Sequence, residues 1–409
     1  MKFLFAHQNF PGQFLHLVRH LAASGRHELV FVSEPNQNRI PGVRVVPYRR
    51  PPPAAKETHA VARDLDAAAR RAETVASTAA ALKHLGFTPD IIIGHHGWGE
   101  MLNLPDVWPG VPLLGYCEFY YRLDGSDVNF DPEFPTPAAD HPRIRAKNAI
   151  NLLALQQGGL GQTPTTWQHA TYPEWARDRI ALLTEGADLD RAKPDPKVRR
   201  APLRIAKTTI APGEKLVTYV SRDLEPYRGV HTMMRALPHL LRARPDLRVV
   251  MVGGNGVSYG APPLKGTWRE TLLAELDGTV DPERVVFPGR LDYATYLKLL
   301  QRSDAHVYLT YPFVASWSLR EALAAGCAVV ASDTQPVREF VTDRQNGRLV
   351  SFFDPKGLAD TVLEVIEDRA LSRRLRAGAR TYAEAHLDLR ATLAGYETLI
   401  RRLTGASEL

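Results

Sequence analysis

The stretch Leu216-Val217-Thr218-Tyr219-Val220-Ser221-Arg222-Asp223-Leu224-Glu225-Pro226-Tyr227-Arg228-Gly229 decides the reading of the fold. Its apolar run, Leu216–Val220, has the length and β-branched content of a buried strand. A polar turn follows, carrying Arg222 and Arg228, and then a helical pattern over His231–Ala243. Strand, loop and helix in that order form the repeating unit of a parallel sheet, and such sheets bind ligands outside the carboxyl ends of their strands. Two cations in a strand-end loop are suited to holding a diphosphate.

The same rhythm runs outward in both directions. Downstream, apolar runs recur at Leu247–Val252, Val285–Phe287, His306–Leu309, Ala328–Ala331 and Arg348–Val350, with helical patterns between them. Upstream they fall at Phe3–Ala6, Leu29–Val32, Ile91–Gly94, Val111–Tyr116 and Ile180–Leu183. Helical stretches cover Gly12–Ala23 and much of Lys56–Leu85. The chain is therefore expected to be α/β, built from two Rossmann-like, doubly wound domains. At 409 residues it has the length for two cores. The expected division is residues 1–195, a Lys/Arg/Pro/Asp-rich linker over 196–214, a second domain over 215–384, and a terminal helix over 385–409.

Composition excludes several classes. The two cysteines, Cys117 and Cys327, lie far apart in apolar runs, which argues against disulfides and cysteine metal sites and favours a reducing cytosol. The first apolar run is too short for a signal peptide, and no window reaches the length of a membrane span. A cytoplasmic protein is expected, with at most weak peripheral contact of basic helices with a membrane. The net charge of +6 comes from 51 basic and 45 acidic residues interspersed along the chain, so nucleic acid is not an expected partner.

Candidate chemistry sits just after the strands. His7-Gln8-Asn9-Phe10-Pro11-Gly12-Gln13 follows the first, and Gly12 allows close backbone approach there. Gly94-His95-His96-Gly97-Trp98-Gly99-Glu100 places two histidines at a strand end, and either is a candidate site histidine. Glu118, in Cys117-Glu118-Phe119-Tyr120-Tyr121-Arg122, is the candidate general base. In the second half, Gly253 and Asn255 mark a glycine-rich strand exit, and Arg290-Leu291 follows another strand. Glu321, in Ser318-Leu319-Arg320-Glu321-Ala322-Leu323, reads as a carboxylate in the first turn of a helix. Asp64–Asp66 and Asp188–Asp190 have the D-x-D pattern but do not follow strands, so no metal is expected.

Taken together, Arg222, Arg228, Glu321, the Gly253 exit, Gly289-Arg290-Leu291, Thr163-Pro164-Thr165 and Glu185-Gly186-Ala187-Asp188 resemble the family-4 glycosyltransferases of the GT-B fold. The resemblance covers most of the chain and is densest over Leu216–Val350. It implies two domains facing a cleft, with the terminal helix crossing back to the first. It implies a nucleotide-diphosphate sugar donor, UDP-sugar favoured on family frequency, and transfer with retention and without metal or other cofactor. The acceptor, whether glycan, lipid-linked, protein or small molecule, is left open. In this resemblance Arg222 and Arg228 hold the diphosphate, Glu321 the ribose and His95 the donor sugar. Gly12 and Gln13 face the phosphates, and Gly253, Asn255, Arg290 and Leu291 lie by the nucleotide. One position departs from the pattern: the first Glu of the E-x7-E motif is replaced by Phe313, which leaves Ser316, Trp317 and Ser318 as candidates for sugar recognition. A nucleotide-sugar epimerase and a non-catalytic binder stay open as rival readings.

Overall fold

The computed structural model describes residues 1–409, which divide into two compact units. The first comprises Met1–Thr184 together with Arg390–Leu409. Its strands are β1 (Lys2–Ala6), β2 (Glu28–Ser33), β3 (Val43–Pro47), β4 (Ile91–His95), β5 (Leu113–Tyr116), β6 (Leu160–Thr163) and β7 (Ile180–Leu182). They form one parallel sheet in the order β3-β2-β1-β4-β5-β6-β7.

The central strands are apolar without alternation because helices cover both faces. Phe3, Phe5, Leu29, Phe31, Ile91 and Ile93 face one core, shared with helix Leu15–Ala23 and with Tyr396, Leu399 and Ile400 of helix Leu389–Thr404. Leu4, Val30, Val32 and Ile92 face the other, against Val75, Ala79 and Leu82 of helix Arg63–His84. Burying each such side chain stabilises the fold by roughly 1.5–3 kcal/mol before conformational entropy is counted.

The second unit, Glu185–Leu389, holds the antiparallel pair β8 (Leu203–Ile205) and β9 (Thr208–Ile210). Its parallel sheet contains β10 (Lys215–Asp223), β11 (Leu247–Gly254), β12 (Val285–Gly289), β13 (Ala305–Tyr308), β14 (Val329–Ser332) and β15 (Arg348–Val350). The order is β12-β11-β10-β13-β14-β15. Helix Val230–Ala243, the product of the opening stretch, is buried on one side through Val230, Met233, Met234, Leu237 and Leu240.

Both sheets reverse direction in the same way. From β1 the chain steps out to β2 and β3, then returns to the other side of β1 with β4. From β10 it steps out to β11 and β12, then returns beside β10 with β13. Loops on either side of such a reversal part, which opens a crevice at the carboxyl ends of those two strands.

Two expectations are corrected. Residues 196–214 are not an unstructured linker: they contain helix Pro196–Arg200 and the β8–β9 hairpin. Leu203, Ile205 and Ile210 of that hairpin are buried against Leu216, Val250 and Leu299 of the second core. Strands β3 and β6 were not expected. The first is only partly buried at the sheet edge, and the second reads Leu-Gly-Gln-Thr, with little strand character of its own. No helix is long and apolar enough to cross a membrane.

Candidate functional site

In the first unit the reversal between β1 and β4 gathers His7, Gly12, Gln13, His95 and Glu118. The register Ala6↔Gly94 and His95↔Tyr116 sets the ends of β1, β4 and β5 side by side. Gly12 has φ +54°, and a Cβ there would stand 2.8 Å from His7 Nδ1, so both conformation and space call for glycine. The Asn9 amide donates to that same Nδ1 at 2.8 Å.

His95 is almost fully buried. Gly97 donates its amide to Nδ1 at 3.1 Å, and Nε2 lies 3.3 Å from Glu118 Oε2. Both contacts are satisfied when Nε2 carries the proton; the third, Trp98 Nε1 at 3.1 Å from Nε2, suits the other tautomer. Gln13 Nε2 donates to Glu118 Oε1 at 3.3 Å. Burial alone would raise the pKa of Glu118, but the hydrogen bond and charge of His95, the charge of His7 and the Gln13 bond outweigh it and hold the carboxyl below its usual range.

The neighbouring histidine is placed differently. His96 Nε2 lies 3.1 Å from the Asn151 carbonyl, and burial pushes its pKa down to about 4. A neutral, enclosed imidazole of this kind packs the turn, whereas His95 meets the carboxylate. Beneath the turn, Arg71 Nη1 donates to the Trp98 carbonyl at 2.6 Å, and its Nε lies 3.6 Å from buried Glu100. Arg71 is brought in by helix Arg63–His84, a contact that no local pattern announces.

In the second unit the reversal lies between β10 and β13. Arg222 is exposed near the end of β10, where a register shift between Val220 and Asp223 breaks the ladder to β11. Arg228 closes the short turn Pro226–Arg228 before Gly229, whose φ is +68° and whose added Cβ would come within 2.4 Å of Leu309 Cβ. Unlike Arg222, Arg228 is buried: Nη1 donates to Thr310 Oγ1 at 2.8 Å and to the Val314 carbonyl at 3.0 Å. Its guanidinium lies 5.0 Å from the centre of the Tyr259 ring.

Glu321 is not in the first turn of its helix. The helix spans Trp317–Ala324, so Glu321 is its fifth residue and lies beyond the free amides. Instead, Tyr293 and Tyr296 donate their hydroxyls to Oε1 and Oε2, each at 2.8 Å. Burial raises the carboxyl's pKa, and the two tyrosine bonds only partly offset this. A carboxylate offers about four acceptor positions, so two tyrosines leave capacity for a ligand hydroxyl.

Of the remaining candidates, Ser316 Oγ and Ser318 Oγ bond each other at 2.7 Å, while the Ser316 amide donates to the Tyr308 hydroxyl at 2.9 Å. Trp317 is half-buried beside them. Phe313 is buried, its ring 5.0 Å from that of Tyr259 and 5.9 Å from that of Tyr227. Gly253 is buried at the end of β11 and Asn255 is exposed just beyond. Arg290 is exposed and donates to Asp223 Oδ1 at 3.1 Å, while Leu291 packs against the core. The structure thus joins His95 with Gln13 and Glu118, and Arg228 with the surroundings of Phe313. It also joins Glu321 with two tyrosines, 28 and 25 residues earlier, that sequence reasoning missed.

Comparison with known proteins bears on the family and the fold. The model of the Glycosyl transferase family 4 group matches residues 25–192, and that of Glycosyl transferases group 1 matches residues 202–382. D-inositol 3-phosphate glycosyltransferase of Streptomyces avermitilis is 30% identical over 299 residues, covering 71% of this chain and 59% of the relative. The chain spans about half the length of the curated relatives it matches. Among solved structures, sucrose-phosphate synthase from Thermosynechococcus elongatus superposes with a TM-score of 0.74 at 18% identity, covering 100% of both chains. HepE of Anabaena, solved with UDP and glucose, gives 0.70 at 16% identity, covering 98% of this chain and 100% of that one. With two matched family models spanning both units and GT-B proteins as structural neighbours, the chain belongs to the family-4 glycosyltransferases of the GT-B fold.

Proposed function

We propose that the protein transfers a sugar from a nucleotide-diphosphate sugar to an acceptor hydroxyl, with UDP as the favoured nucleotide. The observation that carries this reading is the placement of Arg222 at the end of β10, Arg228 in the turn after it and Glu321 on the helix that follows β13, the two strands that flank the reversal of the second sheet. Two guanidiniums there supply positive charge for a departing diphosphate, and a carboxylate held by Tyr293 and Tyr296 supplies an acceptor for ribose hydroxyls. The preference for UDP draws on the family and on the UDP bound to HepE.

Transfer proceeds with retention and without a metal requirement in this reading. The arginines neutralise the leaving group, and the leaving phosphate takes the acceptor proton. His95 is the histidine on the donor-sugar side in this reading, its imidazole held by the Gly97 amide on Nδ1 and by Glu118 on Nε2. Arg290 and Asn255 are the exposed polar groups on the nucleotide side. Phe313 places an aromatic edge where the family's acid would meet the sugar, so donor choice rests on shape and on the Ser316–Ser318 pair.

A thermal-shift panel of UDP, GDP, dTDP and ADP and their sugar conjugates, without added metal, tests the reading. A selective shift that Arg222→Ala removes supports it. No shift with any of them at millimolar concentration overturns it. Proton NMR of the product then reads the anomeric outcome, and turnover unchanged by EDTA reads the metal requirement.

A further inference from the structure

Glu225 is wholly buried, and its carboxylate is devoted to a loop far away in sequence. Oε1 accepts the Ser258 amide at 3.1 Å, and Oε2 accepts the amides of Tyr259 and Gly260 at 3.1 and 3.0 Å. Several main-chain donors converging on one carboxylate offset the desolvation that a buried acid otherwise suffers. The loop is tied a second time by Ser258 Oγ, which donates to Asp223 Oδ2 at 2.5 Å. A Cβ on Gly260 would stand 3.3 Å from the Tyr227 ring and 3.5 Å from Glu225 Oε2, so the clamp leaves little room there. The loop after β11 is thereby strapped across the loop after β10.

The strap delivers one side chain. Tyr259 lies over the Arg228 guanidinium, 5.0 Å from ring centre to guanidinium carbon, and its ring centre is 5.0 Å from that of Phe313. Arg228 Nη1 already serves Thr310 and Val314, and the Tyr259 side chain also bonds the guanidinium, so a phosphate oxygen would be met through the N–H groups that remain. An aromatic ring on the guanidinium face fixes the plane in which those nitrogens lie.

We infer that Glu225 and Tyr259 are positioning residues of the donor-phosphate site: Glu225 clamps Ser258–Gly260, and Tyr259 sets the plane of Arg228. The inference rests on the donor-site reading above and assigns to it residues outside the arginine pair and Glu321.

The test measures UDP affinity by calorimetry, with GDP, dTDP and ADP beside it, and amide hydrogen exchange at Ser258–Gly260 in the full chain. Tyr259→Ala and Glu225→Gln should each weaken the nucleotide that binds wild type by about fivefold. Tyr259→Phe, which keeps the ring but loses the hydroxyl that also bonds Arg228, should recover part of what Tyr259→Ala loses. Exchange at Ser258–Gly260 should accelerate in Glu225→Gln without any ligand, while exchange in β10 and β11 stays slow. Wild-type affinity in Tyr259→Ala, alongside lost affinity in Arg222→Ala, overturns this inference and leaves the donor site standing. Unchanged exchange in Glu225→Gln overturns the clamp. No binding of any nucleoside diphosphate to wild type overturns both the inference and the donor site.

Discussion

Glu118 Oε2 stands 3.3 Å from His95 Nε2, and the Gly97 amide on Nδ1 leaves Nε2 as the nitrogen that carries the bridging proton. The carboxylate therefore works in its ionised form as the acceptor of that proton. This explains why its pKa is held below the usual range despite burial.

Glu118→Gln tests the bridge. The variant should lose about 1–2 kcal/mol of stability at pH 7, the scale of a hydrogen bond to a charged group, and turn over about tenfold more slowly. The pH dependence has a definite sign. A carboxyl with a depressed native pKa stabilises the fold above its unfolded pKa, near 4.3, and that contribution is lost as pH falls through the native value. Urea unfolding of the two proteins should therefore differ at pH 7 and converge as pH falls through the depressed native value. A gap independent of pH would assign Glu118 a packing role only.

Glu321 is expected to behave in the opposite way, because its native pKa is raised by burial. A raised carboxyl favours folding in its protonated form, so its ionisation weakens the native state as pH rises through the shifted value. Glu321→Gln should then be as stable as wild type or more so at pH 7, with the difference vanishing in acid. The same variant should weaken donor binding by about tenfold through loss of a charged acceptor for ribose. Differential scanning calorimetry and donor titration on one preparation read both. Loss of stability at pH 7 would mean that the bonds from Tyr293 and Tyr296 outweigh burial.

The two arginines separate on exposure. Arg222→Ala removes an exposed side chain and should leave the unfolding midpoint in place while donor affinity or turnover falls at least about tenfold. Arg228→Ala strips the donor from Thr310 and Val314 and opens space under Tyr259, so it should also cost about 1–3 kcal/mol of stability. Equal destabilisation by both would contradict the difference in burial.

What the sequence announced is what local pattern can carry. Leu216–Val220 and Ile91–Ile93 are apolar on both faces, so their strands and the helices that cover them were legible, as were the strand-end positions of Arg222, His95 and Gly12. The β8–β9 hairpin was read as a linker because Leu203, Ile205 and Ile210 are three apolar residues set among Lys, Arg and Pro; their alternation was the missed signal. Glu321 was put one turn too early because Ser316, the residue before the helix, makes no side-chain cap that a pattern would reveal. The partners of Glu321 come from helix Tyr293–Arg302 and those of Arg228 and Glu225 from loops tens of residues away, and only strand order brings them together.

Two enclosed histidines make the fold sensitive to mild acid. Burial pushes His96 and His306 down to about 4, and they are held neutral against the Asn151 carbonyl and the Thr218 hydroxyl. In the unfolded chain each titrates near 6.5, so unfolding takes up protons between those values. Stability is whole above about pH 6.5 and drains as pH falls, approaching roughly 1.4 kcal/mol per pH unit for each histidine well below that point. Urea unfolding at pH 7.5, 6.5, 5.5 and 5 should show this loss, on top of whatever the carboxyls contribute. His306→Gln should remove about one proton from the uptake between pH 6.5 and 5, while leaving nucleotide affinity unchanged at pH 7.5, because the side chain is enclosed by Thr218 and the core. A wild-type stability that is flat across this interval would mean that both imidazoles are free to take up protons in the native fold.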